Sequence, residues 1–307
     1  MKSKYFMVAF LGLSILLAGC TALPGDDGGD EDGPDTSFRI TQNDGLSISF
    51  QSLSNSYDEG EPIALRLNLQ NTGQKEAEAI QASLYGASFL TGENKELGTL
   101  SGADKAAQQP GGQTSEEWRI SNPVNLDVGA TQDYPAGVRV LYRYSTTSTA
   151  DMTVVPRADF DEQSTTVTTQ NTAGPLKAEF DVVSPKPVSD TEEDSVSVSI
   201  PVQIRNVGDG KVANNLEGDE GNVALEVGFA NSGEDFAIDT CGEEDGNEEN
   251  EETGREDVQL YDGSRRVICT ASVSPDVFET QLNLEATLEY PYFETQETTF
   301  TVEGLEG

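Results

Sequence analysis

The densest run of potential ligands in the chain is CGEEDGNEENEETGRED, Cys241 to Asp257. Counted from Asp245, oxygen-bearing side chains recur at Asn247, Glu249, Glu251 and Thr253, with Glu256 at the twelfth place, the cadence of a calcium-binding loop. A hard cation takes about six to eight oxygens, which alternate residues and a closing carboxylate supply. Against this, Asn250 stands where a glycine normally makes the sharp turn, and no helices are expected on either side. The competing reading is a solvated acidic loop that collects loosely held cations. Zinc is a poor fit, because the thiols lack close pairing and the chain has no histidine. The absence of histidine also removes the usual general base at neutral pH and every Ser/His or Cys/His nucleophile. Paired carboxylates hydrolyse glycosides, but 55 acidic residues bring some pair together in any fold and so single out none. No Asp-Thr-Gly or Asp-Ser-Gly occurs. Gly208, Gly210 and Ala213 match GxGxxA, yet turn formers rather than a helix follow them, so the expectation there is a turn. The chain is expected to be no enzyme and to take no cofactor, calcium at the acidic loop excepted.

Any such loop needs an address and a frame. Lys2 and Lys4, an apolar run from Tyr5 to Leu17 and small residues before Cys20 make a secretory leader over 1–19. The run is shorter than the roughly 20 residues of a membrane span. Leu17-Ala18-Gly19-Cys20 resembles the lipobox of bacterial and archaeal lipoprotein signal peptides. That resemblance implies cleavage before Cys20, lipid on its sulfur, and a chain held on the extracellular face of the cell membrane. An uncleaved N-terminal anchor is the alternative, and both put the remainder outside the cytoplasm. Cys241 and Cys269 are then left as a pair, expected to bridge in an oxidising exterior. Residues 20–36, beyond Cys20, are rich in Gly, Asp, Glu and Pro with little to bury, and are expected to be a flexible, self-repelling spacer.

The formal charge of −37 would repel phosphate over the whole surface, which excludes a nucleic-acid partner. Concentrated salt shortens the Debye length to about 3 Å at 1 M and screens such self-repulsion. The composition therefore points to a halophilic, haloarchaeal setting.

The frame is written in period two. Ile63, Leu65, Leu67 and Leu69, then Val138, Val140, Tyr142 and Tyr144, then Leu282, Leu284, Ala286, Leu288 and Tyr290 alternate with mostly polar residues. These are strands with one buried face. Short strands between Gly, Asn, Asp and Pro turns predict an all-β fold of antiparallel sandwiches. The plan occurs twice. The strand ending at Asn71 and Gly73 returns 135 positions later at Asn206 and Gly208, and Tyr142, Tyr144, Met152 and Val154 return 148 positions later at Tyr290, Tyr292, Phe300 and Val302. The second copy is thus thirteen residues longer between those landmarks, an insertion that the acidic loop would supply. The expected domains are 37–156 and 176–303, with 157–175 a linker or an edge strand.

A strand, an Asn-x-Gly turn and an alternating strand such as Ala77 to Tyr85 resembles the immunoglobulin-like modules, CARDB and related kinds, that occur in tandem in prokaryotic surface proteins. The resemblance implies adhesive, spacer or assembly roles with no catalytic set. The tyrosine pairs fall on one strand face in both copies and are expected in the core, with a sugar-stacking platform as the rival; Trp118 is expected to point inward. Protein or glycan partners would dock at an open sheet edge or at loops 101–114 and 241–257. A receptor for a cation or small solute at the acidic loop is the second functional expectation.

Overall fold

The computed structural model describes residues 45–90, 94–160, 163–188, 196–230, 236–242, 254–273 and 279–305. Cys20 and the loop positions Asp245, Asn247 and Glu249 lie outside them. The first half of the chain forms β1 (Leu46–Ser52), β2 (Ser56–Asp58), β3 (Ile63–Asn71), β4 (Ala77–Gly86), β5 (Lys95–Leu100), β6 (Gln113–Ile120) and β7 (Thr131–Pro156). The connecting piece carries β8 (Thr165–Thr166) and β9 (Gln170–Asn171). The second half forms β10 (Leu176–Phe180), β11 (Val183–Ser184), β12 (Lys186–Val188), β13 (Val196–Asn206), β14 (Lys211–Val212), β15 (Asn222–Phe229), β16 (Phe236–Cys241), β17 (Arg255–Gln259), β18 (Ser264–Val273) and β19 (Thr280–Glu303).

The fold is all-β, built from antiparallel sheets packed face to face. Alternation accounts for the strands: along β3, Ile63, Leu65, Leu67 and Leu69 are buried while the residues between them are half-exposed. Two small sheets, β1-β3-β6 and β10-β13-β18-β16, pack on a large one ordered β17-β15-β19-β7-β4-β5. Their buried side chains make one continuous core.

The two copies share that large sheet. All 24 residues of β19 pair with β7, from Thr280 against Val154 to Glu303 against Thr131. Tyr142 lies opposite Tyr292 and Tyr144 opposite Tyr290, so the copies are related by a pseudo-two-fold axis through the Arg143–Pro291 pair. Each long strand completes the other copy's sandwich. β2 of the first copy runs parallel to the end of β19, with Tyr57 beside Val302, and β12 of the second runs parallel to the end of β7, with Pro187 beside Val155. Strands from the expected domains 37–156 and 176–303 share this sheet, and Arg39–Gly307 is one compact unit. The connecting piece contributes an edge: β9 pairs with β7 at Ser148 and Thr149.

Cys241 and Cys269 face each other on β16 and β18 and are joined by a disulfide. Among the described residues the first copy shows no counterpart of β16, which lies in the second copy's longer interval. Trp118 holds in β6 the place that Cys269 holds in β18, opposite Leu65 as Cys269 is opposite Ile200. It is buried as expected, with Lys95 Nζ 4.8 Å from its ring centre.

Candidate functional site

The two Asn-x-Gly turns end in the same hydrogen-bonded frame. Asn71 Nδ2 donates to the Lys75 carbonyl at 2.7 Å and its Oδ1 accepts from Gly73 N at 3.1 Å; Asn206 does the same with the Gly210 carbonyl and Gly208 N, at 2.7 and 3.1 Å. Lys75 N donates to Tyr144 Oη at 3.2 Å, and Gly210 N to Tyr292 Oη at 3.0 Å. Glycine is required at the first turn: a Cβ on Gly73 would stand 1.8 Å from Tyr144 Oη. The other tyrosine of each pair holds the chain as it enters the sandwich, with Leu46 N donating to Tyr142 Oη and Leu176 N to Tyr290 Oη, at 3.5 and 3.2 Å. Gly208 and Gly210 thus sit in a turn between β13 and β14, as the sequence indicates.

At the axis Tyr142, Tyr144, Tyr290 and Tyr292 pack edge to face in the core, with Tyr142 and Tyr292 fully buried. Burial of this kind rules out a sugar-stacking platform. The copies differ in the partners of these hydroxyls: Tyr290 Oη bonds Thr146 Oγ1 at 2.8 Å whereas Tyr142 Oη donates to Glu294 Oε1 at 2.7 Å, where glutamate stands in the threonine's place, and Tyr144 Oη donates to the Ala173 carbonyl at 3.2 Å whereas Tyr292 Oη donates to Asn206 Oδ1 at 2.8 Å. Burial, then Glu294, raises the Tyr142 hydroxyl well above its usual pKa, and burial raises Tyr290 and Tyr292 likewise.

On the outer face of the same strand pair lies a cleft of about 970 Å³. Its floor is Leu141, Arg143 and Ser145 of β7 with Glu289 and Pro291 of β19. A proline in a central strand normally interrupts the ladder. Here the Pro291 carbonyl accepts from Ala213 N at 3.3 Å, away from β7, so the missing N–H falls on that side too and the β7 pairing is intact. One wall runs from Lys75 to Ala79, where β4 bulges and Ala79 takes a φ of 48°. The other is the Asn214–Glu217 turn, held by Asn215 Oδ1 accepting from Glu217 N and Asp219 N, both at 3.1 Å. Glu76, Glu78, Glu217, Asp257 and Glu289 face only two bases, Lys75 and Arg143, and neither base is ion-paired among the described residues. Chemically the cleft suits a cationic or polyhydroxylated group.

No protein-family model and no curated protein matches the chain. Among solved structures it is similar to the secreted serine protease VesC from Vibrio cholerae at 8% identity and a TM-score of 0.20, over 81% of this chain and 51% of that one. It is similar to Escherichia coli alpha-2-macroglobulin activated by porcine elastase at 8% identity and a TM-score of 0.20, over 86% of this chain and 22% of that one. The chain spans about half the length of the first and less of the second.

Of the sequence-derived site residues, the structure places Glu256 on β17 opposite Leu225, with Gly242 beside its carboxylate. Among the described residues no three Asp, Glu or Cys side chains gather as a metal site. The cleft and Glu294 were not anticipated. The signal for Glu294 was present, because alternation from Tyr290 through Tyr292 puts it on the buried face. The cleft had no such signal, since its walls come from segments about 140 residues apart.

Proposed function

We propose that the protein is a non-catalytic, lipid-anchored module on the extracellular face of a prokaryotic, haloarchaeal-type membrane, acting in adhesion, spacing or surface assembly through two immunoglobulin-like sandwiches. The observation that carries this reading is the shared strand pair. At about 3.3 Å per residue, the 24 paired residues of β19 and β7 make a ribbon roughly 80 Å along its path, held from end to end by backbone hydrogen bonds. Such a ribbon suits an element that bridges distance or carries tension. The leader, Cys20 and the acidic charge suit an exterior, salty setting. A protein or glycan partner fits the reading better than nucleic acid, which the charge repels.

The test is fractionation of the native host. The wild-type chain is expected in the membrane fraction with an N-terminal mass carrying lipid on Cys20, and Cys20→Ser is expected in the medium or the soluble fraction. A wild-type chain that retains its leader, or that is soluble with an unmodified thiol, defeats the anchor.

Capture of a small cationic solute is a second reading, supported by the acidic cleft. Calorimetry with calcium in high salt separates its two versions. Saturable heat abolished by Asp245→Asn with Glu256→Gln assigns it to the loop, heat abolished by Glu78→Gln with Glu289→Gln assigns it to the cleft, and no saturable heat removes calcium from both.

A further inference from the structure

Both small sheets lie on the same side of the large one. Along β7, Val138, Val140 and Tyr142 under the first sandwich and Ala150, Met152 and Val154 under the second are buried, and all are even-numbered. A strand turns alternate residues to opposite faces, so the odd-numbered side of the ribbon faces away from both sandwiches. Two sheet surfaces are thus turned outward: the odd-numbered face of the large sheet and, on the opposite side, the outer faces of the small ones.

Charge is divided unequally between them. Outward positions of the large sheet carry Asp151, Glu226, Asp257, Glu285, Glu289 and Glu297 against Arg139, Arg143 and Arg255, and among the described residues none of these carboxylates has an ion-pair partner. The small sheets hold their arginines outward instead. Arg66 and Arg119 lie 3.2 and 2.9 Å from the two oxygens of one carboxylate, Glu117, while Arg205 is 3.8 Å from Glu179 and Arg266 is 3.0 Å from Asp181. Asp239, also on this side, accepts from Ser272 Oγ at 2.7 Å. Lys177 stands directly opposite Arg205, a like-charge pair that costs a sheet stability. Bases therefore outnumber acids along the outward positions of these strands, in a chain with 55 acids and 18 bases. The side chains of Arg119, Arg205 and Arg266 are each more than half exposed, so their pairs contribute little and leave the guanidinium groups able to change partners.

The chain itself carries the complementary surface. We infer that one copy lays its arginine-bearing side on the acidic outer face of the next, with Arg205 and Arg266 against carboxylates such as Glu226 and Glu285. This deepens the surface-assembly reading and rests on it. Because the two surfaces lie on opposite sides, a copy bound through one still offers the other, and such a heterologous contact builds an open stack and not a closed dimer. The net charge of −37 repels copies at a distance. At 1 M salt a Debye length of about 3 Å confines that repulsion to contact range, where the opposed charges meet.

Sedimentation of the chain 20–307 carrying Cys20→Ser, in molar salt, tests this and scores the stack whether or not the native Cys20 bears lipid. The mass is expected to rise with concentration past that of a dimer. Arg205→Glu with Arg266→Glu reverses one side, and Glu226→Arg with Glu285→Arg reverses the other at positions outside the cleft. Each double variant alone is expected to need at least tenfold higher concentration to associate. Mixing the two is expected to restore association, because the surface left intact on each meets that of the other, and this recovery reports that both are folded. A wild type that stays monomeric, a mass that stops at the dimer, reversed variants that associate as the wild type does, or a mixture that stays monomeric overturns the inference. A monomeric wild type that binds vesicles of anionic lipid assigns the arginine side to a membrane and overturns it as well.

Discussion

Residues 45–156 made alone are expected to form a homodimer and not a stable monomer. Its β7 would pair with a second β7 about Arg143, as β19 pairs with it in the intact chain, because Tyr142 and Tyr144 meet their own repeat equivalents across that axis. The monomer has no alternative cover for the far half of β7, where Ala150, Met152 and Val154 are buried. Full burial of a side chain such as Met152 or Val154 contributes about 1.5–3 kcal/mol. Exposing those two alone therefore costs a sizeable part of the 5–15 kcal/mol, roughly, that holds a typical domain folded. Light scattering should give twice the monomer mass, and the denaturation midpoint should rise with concentration. A monomer that unfolds cooperatively at a concentration-independent midpoint would show that the first sandwich is complete without the second long strand.

The second large effect is alkaline. Tyr142, Tyr290 and Tyr292 all have folded-state pKa values raised by burial, Tyr142 further by the Glu294 carboxylate. A raised value means the fold favours the protonated hydroxyl. The stability linked to it is fully present below the unfolded value near pH 10 and is lost as pH climbs from there toward the folded values. Three such groups give a slope of about 4 kcal/mol per pH unit above pH 10. Phenolate absorbance should show these tyrosines silent in the native protein, then rising in one step that coincides with loss of the circular-dichroism signal. Smooth ionisation of all tyrosines before that loss would contradict the buried cluster.

Much of the frame was legible in the sequence because strands with one buried face leave a period-two trace. Ile63 to Leu69, Val138 to Tyr144 and Leu282 to Tyr290 lie where alternation puts them, the tyrosines are in the core, and the two cysteines are bridged. Duplication was legible too, from Asn71 with Asn206 and Tyr142 with Tyr290. Hidden from the sequence was how the copies combine. Alternation fixes which face of β7 is buried, but it does not say which strand lies along each edge, because backbone hydrogen bonds carry no side-chain signature. The pairing of Arg143 with Pro291, and the cleft above it, follow from that unseen choice. A proline at that position would by itself argue against a central strand; only the direction of its carbonyl resolves the conflict.

The connector from Arg157 to Gly174 turns an encounter between two partners into a property of one chain. Covalent linkage replaces a bimolecular encounter by an effective concentration on the order of millimolar for a short linker, so the strand exchange holds even where molecules are sparse. Joining also frees the copies from identity. A self-paired subunit must carry every change twice, whereas here Glu294 could replace the threonine kept at Thr146, and β16 with its disulfide could be added, on one side alone.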